Sequence, residues 1–207
     1  MKGQFFLIAG VIVLIFILLV RSSLRFEEMT HETNEIIFEI ENFLNLKKQL
    51  IKTFAYSYDK NTSEKVISFI KFAKKKLNPK TFELSGIFIQ AFYKNVTQNE
   101  EEFLNLTIYN FLGEKIFNLS LNFSNELQFF SELQDDSTLH VSFQFSTQSN
   151  QNYTLIVSYS TLKREERYWI EIPVEIDKSK AVGFFDLKLK GLHSILRDEF
   201  SKLMEIV

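Results

Sequence analysis

Apolar residues are distributed along the chain in three regimes. Residues 5–20 form an unbroken apolar run, FFLIAGVIVLIFILLV. From 26 to about 56 the spacing becomes three and four, through Phe26, Met29, Ile37, Ile40, Leu44, Ile51 and Phe54, with Glu27, Glu28, Glu32, Glu35 and Glu39 on the other faces. That period predicts an amphipathic helix. From Thr81 onward the period is two. Leu104, Leu106 and Ile108 alternate with polar neighbours, as do Phe117, Leu119, Leu121 and Phe123. The pattern returns at Leu139–Phe145, Tyr153–Tyr159, Tyr168–Val174 and Phe185–Leu189. Such alternation predicts strands with one wet face.

A second helix is predicted from a Thr62 or Ser63 cap, with Val66, Phe69, Ile70, Ala73 and Leu77 on one side and an end at Asn78-Pro79. Its Lys71, Lys74, Lys75, Lys76 and Lys80 read as a solvated face. Loops containing Gly113, Asp135-Asp136 and Ser149-Asn150 divide the remainder into seven or eight short strands. Residues 192–206, with Leu192, Ile195, Leu196, Phe200 and Leu203 at helical spacing, predict a final amphipathic helix over a sheet edge or face. The expected class is therefore α+β. An N-terminal transmembrane helix continues into a long amphipathic helix, followed by a mainly antiparallel, sandwich-like β domain and a C-terminal helix. The implied division is a leader at 1–3, an anchor at 4–24, a helical stalk or hairpin at 25–80, the β domain at 81–191 and the last helix at 192–207.

The sixteen residues of the first run would span about 24 Å as a helix, slightly less than the ~30 Å hydrocarbon layer. Lys2 and Arg21 can snorkel across the difference. The expected partner is thus the lipid bilayer, and the expected location is the cell membrane, single-pass, with the C-terminal domain outside. Lys2 on one side and Arg21 and Arg25 on the other leave the orientation open by charge. Composition removes other classes. A net charge of -2 gives no basic face for nucleic acid. The absence of cysteine removes disulfides, thiolate metal sites and thiol nucleophiles together. The 23 Phe supply material for a large core.

Lys2-Gly3-Gln4 directly before the apolar run resembles the class III signal peptides of archaeal type IV pilin-like proteins. The resemblance covers about twenty residues. It implies processing between Gly3 and Gln4, an apolar helix retained after the cut, and association with other pilin-like subunits or envelope proteins. Many of these pilins carry Glu at the fifth processed position, where this chain has Ile8. A second reading therefore stays open, a stand-alone anchored domain that binds or senses and does not polymerise. Six Asn-x-Ser/Thr sequons, at Asn61, Asn95, Asn105, Asn118, Asn122 and Asn152, stand where about two are expected by chance. They are candidate N-glycosylation sites, with alternation of Asn, Ser and Thr on wet strand faces as the other explanation.

Nothing in the sequence reads as an active site. His31, His140 and His193 fall in separate elements without metal-ligand spacing. Asp135-Asp136 reads as an acidic turn, and Glu165-Glu166 between Arg164 and Arg167 as a charged one. There is no phosphate loop among the six Gly and no nucleophile elbow. No catalytic, metal or cofactor-binding residue is expected, and no small-molecule substrate is evident. The expected function is structural, adhesive or ligand-binding rather than enzymatic; a membrane-tethered enzyme would require a pocket of convergent titratable groups.

Overall fold

The computed structural model describes residues 33–56, 62–77, 82–96, 101–145, 153–162, 164–174 and 179–205. Two compact units divide the chain, Met1–Phe43 and Leu44–Val207. The described part of the first is the opening of helix α1 (33–56), on which Ile36, Ile37, Phe38 and Ile40 are all exposed.

The second unit holds the rest of α1, helix α2 (Thr62–Lys76) and nine strands, β1 (Glu83–Val96), β2 (Glu101–Asn110), β3 (Ile116–Phe123), β4 (Glu126–Leu133), β5 (Ser137–Phe145), β6 (Tyr153–Thr161), β7 (Arg164–Val174), β8 (Ser179–Lys190) and β9 (Ile195–Glu205). They form a five-stranded sheet in the order β5-β2-β1-β8-β9 and a four-stranded sheet in the order β4-β3-β6-β7. All ladders are antiparallel.

Alternation decides which side chains enter the core. Ile87, Ile89, Leu104, Leu106 and Ile108 meet Leu119, Leu121, Leu155, Val157, Ile170 and Ile172 between the sheets. Phe123 lies against Phe143, Phe145 and Tyr153 there, with ring centroids 5.1–5.9 Å apart. The opposite phase of the five-stranded sheet is apolar too, and the helices cover it. Phe185 stacks on Phe88 and on Phe200, each at 4.9 Å, while Phe54 of α1 meets it edge-on at 6.1 Å. Helices therefore back one sheet. The outer face of the four-stranded sheet has no covering element among the described residues.

Turn chemistry fixes the hairpins. Ser124 and Asn125, both at positive φ, form the two-residue connection between β3 and β4, the geometry of a type I′ turn. Gly113 in the preceding β2–β3 connection and Asp136 in the following β4–β5 turn also adopt positive φ. Asn110 ties these turns together. Its buried amide donates to the carbonyls of Glu114, Leu133 and Gln134 at 2.9–3.1 Å and accepts from the Leu112 amide at 3.1 Å.

The expected fold class needs correction. No C-terminal helix forms, because residues 195–205 are strand β9, paired with β8 from Ser179↔Glu205 to Lys190↔Ile195. Leu196 and Phe200 serve a strand as well as a helix, and pairing with the otherwise open edge of β8 outweighs the helical spacing, leaving Ile195 exposed. Gly191, whose amide bonds the Ser194 carbonyl at 2.8 Å, belongs to a hairpin turn. The long amphipathic helix is confined to 33–56 among the described residues, and its buried face carries Leu50 and Phe54 while Ile37, Ile40 and Leu44 stand exposed. Nine strands in two sheets make the protein mostly antiparallel β. Among the described residues no helix is long and apolar enough to cross a membrane. The expected anchor at 4–24 lies outside them.

Candidate functional site

Pairing registers across the four-stranded sheet align one row of outward side chains: Phe129 of β4 opposite Ser120 of β3, Ser120 opposite Ser158 of β6, and Ser158 opposite Trp169 of β7. Three strand-to-strand steps separate its ends, about 14 Å. Phe129 and Trp169 stand 69% and 65% exposed at those ends. Between them lies a trough underlain by two serine hydroxyls that pair with each other and are closed off from water. Ser120 and Ser158 are buried, and their Oγ atoms lie 2.6 Å apart.

Arg167 bridges trough and wall. Its Nη2 donates to Ser120 Oγ at 2.9 Å, and its guanidinium lies 5.2 Å from the Trp169 ring centroid. Stacking on an indole holds the fork flat while leaving several N–H groups open to solvent. Among the described residues no carboxylate pairs with it. Beside this row, Asn118, Phe129, Phe130, Ser131, Ser160 and Arg167 line a shallow depression. Asn118 sits at a break in the β3–β6 register with φ 49°, which displaces its exposed side chain from the ladder. The next row, Leu127, Asn122, Ile156 and Glu171, extends the face with two apolar and two polar groups.

A second concavity opens at one end of the sandwich, with a volume of about 430 Å³ and Tyr159, Tyr168, Asp186, Lys188 and Arg197 among its lining. Its buried acid is already occupied, since Arg197 grips Asp186 through two hydrogen bonds of 3.0 and 2.7 Å. The Tyr159 hydroxyl is pushed up by burial first and by the Asp186 charge second, so it stays neutral at physiological pH. These groups hold the sandwich end together, and they make a poor acid–base pair.

The sequence-derived candidates scatter. Gly3, Gln4, Asn61 and Asn152 lie outside the described residues, as do His31 and the side chain of Asn95. Asn105 is half-buried on β2 and accepts from Ser142 Oγ at 2.9 Å. Asn118 and Asn122 share the outer face of the four-stranded sheet. His140 is exposed on β5, its Nδ1 3.2 Å from Thr107 Oγ1, and His193 is exposed in the β8–β9 turn. The Asp135-Asp136 turn works internally. Asp135 accepts from the Gly113 amide at 2.9 Å, and Asp136 accepts from the Tyr109 hydroxyl. Among the described residues no cluster of three or more His, Asp or Glu is arranged to hold a metal ion.

Sequence reasoning passed over Trp169, Phe129, Ser120 and Ser158 and read Arg167 only as part of a turn. One signal was available. Tyr168, Ile170, Ile172 and Val174 set the buried phase of β7, which leaves Trp169 pointing to solvent.

Fold and site together define a helix-backed β-sandwich whose four-stranded sheet presents two exposed aromatics with no covering element among the described residues. No family model matches the chain, and no curated protein matches it significantly. The pilin-like, archaeal and glycoprotein descriptions drawn from the sequence therefore have no relative behind them, and among the described residues no helix is long and apolar enough to cross a membrane.

Proposed function

We propose that this chain is a non-catalytic binding protein of the cell exterior, with the outer face of the four-stranded sheet as its ligand-contacting surface. One observation carries the reading: two large aromatic side chains stand exposed at either end of a buried hydroxyl pair, with an arginine stacked on one of them. An indole left two-thirds in water while a deep core is available is a feature of recognition surfaces rather than of folding. Within the second unit the helices pack on the five-stranded sheet, and among the described residues no element lies over this face. Placement at the membrane is supported by the apolar run at residues 5–20.

The test uses the full-length chain in detergent micelles, mixed with washed envelope fragments from the source cells and sedimented. Wild type is expected to co-sediment and Trp169→Ala to remain in the supernatant. Equal sedimentation of both would overturn the assignment of the face. Protease treatment of intact cells checks the location, and a protected sandwich would overturn exterior placement. Recovery of the chain in sheared filaments would replace a binding role with a self-assembling one.

A further inference from the structure

We infer that the ligand of this face is an acidic polysaccharide, with sugar rings lying over Trp169 and Phe129 and an acidic substituent on Arg167; this rests on the binding role proposed above.

The chemistry of the row selects the class. Serine hydroxyls and asparagine amides both donate and accept hydrogen bonds; Ser131, Asn118 and Asn122 offer such groups around the Ser120–Ser158 pair, and Ser160, which donates to the Phe117 carbonyl, offers an acceptor. A ligand matching them carries many hydroxyls of its own. Exposed aromatic faces then stack on the flat C–H surface of a sugar ring, as they do on any ring-bearing polymer. The ~14 Å between Phe129 and Trp169 suits a short oligosaccharide laid across the strands.

Charge narrows the class. Arg167 bonds a serine and stacks on Trp169, and among the described residues it forms no ion pair. A planar fork without a carboxylate partner recognises a carboxylate or sulfate supplied by the ligand. Lys115, at the rim, is already paired with Glu132 at 2.9 Å. Among the described residues this face has one cation without a carboxylate partner and also carries the exposed Glu171, too little for a nucleic acid, whose binding rests on many phosphate contacts. An amphipathic helix would need a continuous apolar groove, and the serines interrupt it.

Trp169 is the only tryptophan in the sequence, so its fluorescence reports directly on the proposed stack. The full-length chain in detergent micelles is titrated with galacturonate oligomers, neutral glucose oligomers and single-stranded DNA. A saturable emission change with the uronate alone is expected. Arg167→Gln should weaken it about tenfold and flatten its salt dependence. Trp169→Phe should bind, and Trp169→Ala should lose about tenfold or more by competition against a labelled oligomer. All three variants should melt within a degree or two of wild type, since they alter exposed groups. Equal binding of neutral and acidic oligomers, or preference for DNA, would overturn the inference. Absence of oligosaccharide binding while Trp169 is still needed for envelope binding would remove the polysaccharide and leave the binding role standing. Absence of both would remove both.

Discussion

Arg197 reaches diagonally across the β8–β9 ladder to grip Asp186, with Nε 3.0 Å from Oδ1 and Nη2 2.7 Å from Oδ2. Asp186 is 5% exposed, and the guanidinium also meets Glu199 at 2.9 Å and faces the Tyr168 ring. Removing the arginine leaves a carboxylate with little water and no partner. Arg197→Met is expected to cost about 2 kcal/mol, less than a fully enclosed pair because Arg197 is itself partly solvated. Asp186→Asn should cost less, since Arg197 keeps Glu199 and solvent. Urea denaturation of the two variants checks the order.

The alkaline limb of stability should be set by two tyrosines. Burial is the larger cause that raises both Tyr109 and Tyr159 well above the ordinary value, followed by Asp136 for the first and Asp186 for the second. A group whose folded pKa exceeds its unfolded value of about 10 gives stability that is complete below pH 10 and lost as pH rises beyond it. Tyrosinate absorbance should show the exposed tyrosines ionising first and these two only as the circular dichroism collapses. Tyr109→Phe should lower stability at neutral pH through loss of the Asp136 hydrogen bond, yet soften the alkaline decline.

Two glycines tolerate substitution differently. A Cβ on Gly183 would stand 2.7–3.0 Å from atoms of the Phe54 ring, and one on Gly86 would stand 2.1 Å from the backbone oxygen of Asp186. A ring can tilt, whereas a ladder carbonyl cannot retreat without breaking its sheet. Gly183→Ala should cost about 1–3 kcal/mol. Gly86→Ala should cost more and reduce soluble yield, and thermal melting with expression level checks the ranking.

Asn110 is the polar knot of the sandwich, and its replacement by Asp tests this with little change in shape. The substitution turns an amide aimed at three carbonyls into an oxygen aimed at the same three. A loss of about 3 kcal/mol is expected, readable as a shift in the denaturation midpoint with an unchanged slope.

Local signals account for much of the architecture. Thr62 is the first residue of α2, and the buried positions of β6, Tyr153, Leu155, Val157 and Tyr159, follow the alternation seen in the sequence. Residues 192–206 fit helical spacing through Leu192, Ile195, Leu196 and Phe200, whereas in β9 only Leu196 and Phe200 share the inner phase and Ile195 faces solvent; the edge of β8 decides for the strand. Pairing of β1 with β8, nearly a hundred residues apart in sequence, leaves no local trace. The candidate site was hidden for the same reason. Phe129, Ser120, Ser158 and Trp169 come from four strands, and only the register brings them into one line.

The order in which the strands are laid down also constrains how the molecule comes apart. The chain writes β1 and β2 into one sheet, β3 and β4 into the other, returns for β5, leaves again for β6 and β7, and ends with β8 and β9 beside its beginning. Neither sheet is made from one continuous stretch, so the two are stitched together by the connections as well as by the core. A nick in any single loop leaves both sheets clasped, and neither layer can peel away to open the face of Phe129 and Trp169 from behind. Such interlacing implies slow, all-or-none assembly, on the scale of milliseconds to seconds for comparable topologies. It also makes the outer face of the four-stranded sheet as durable as the whole sandwich.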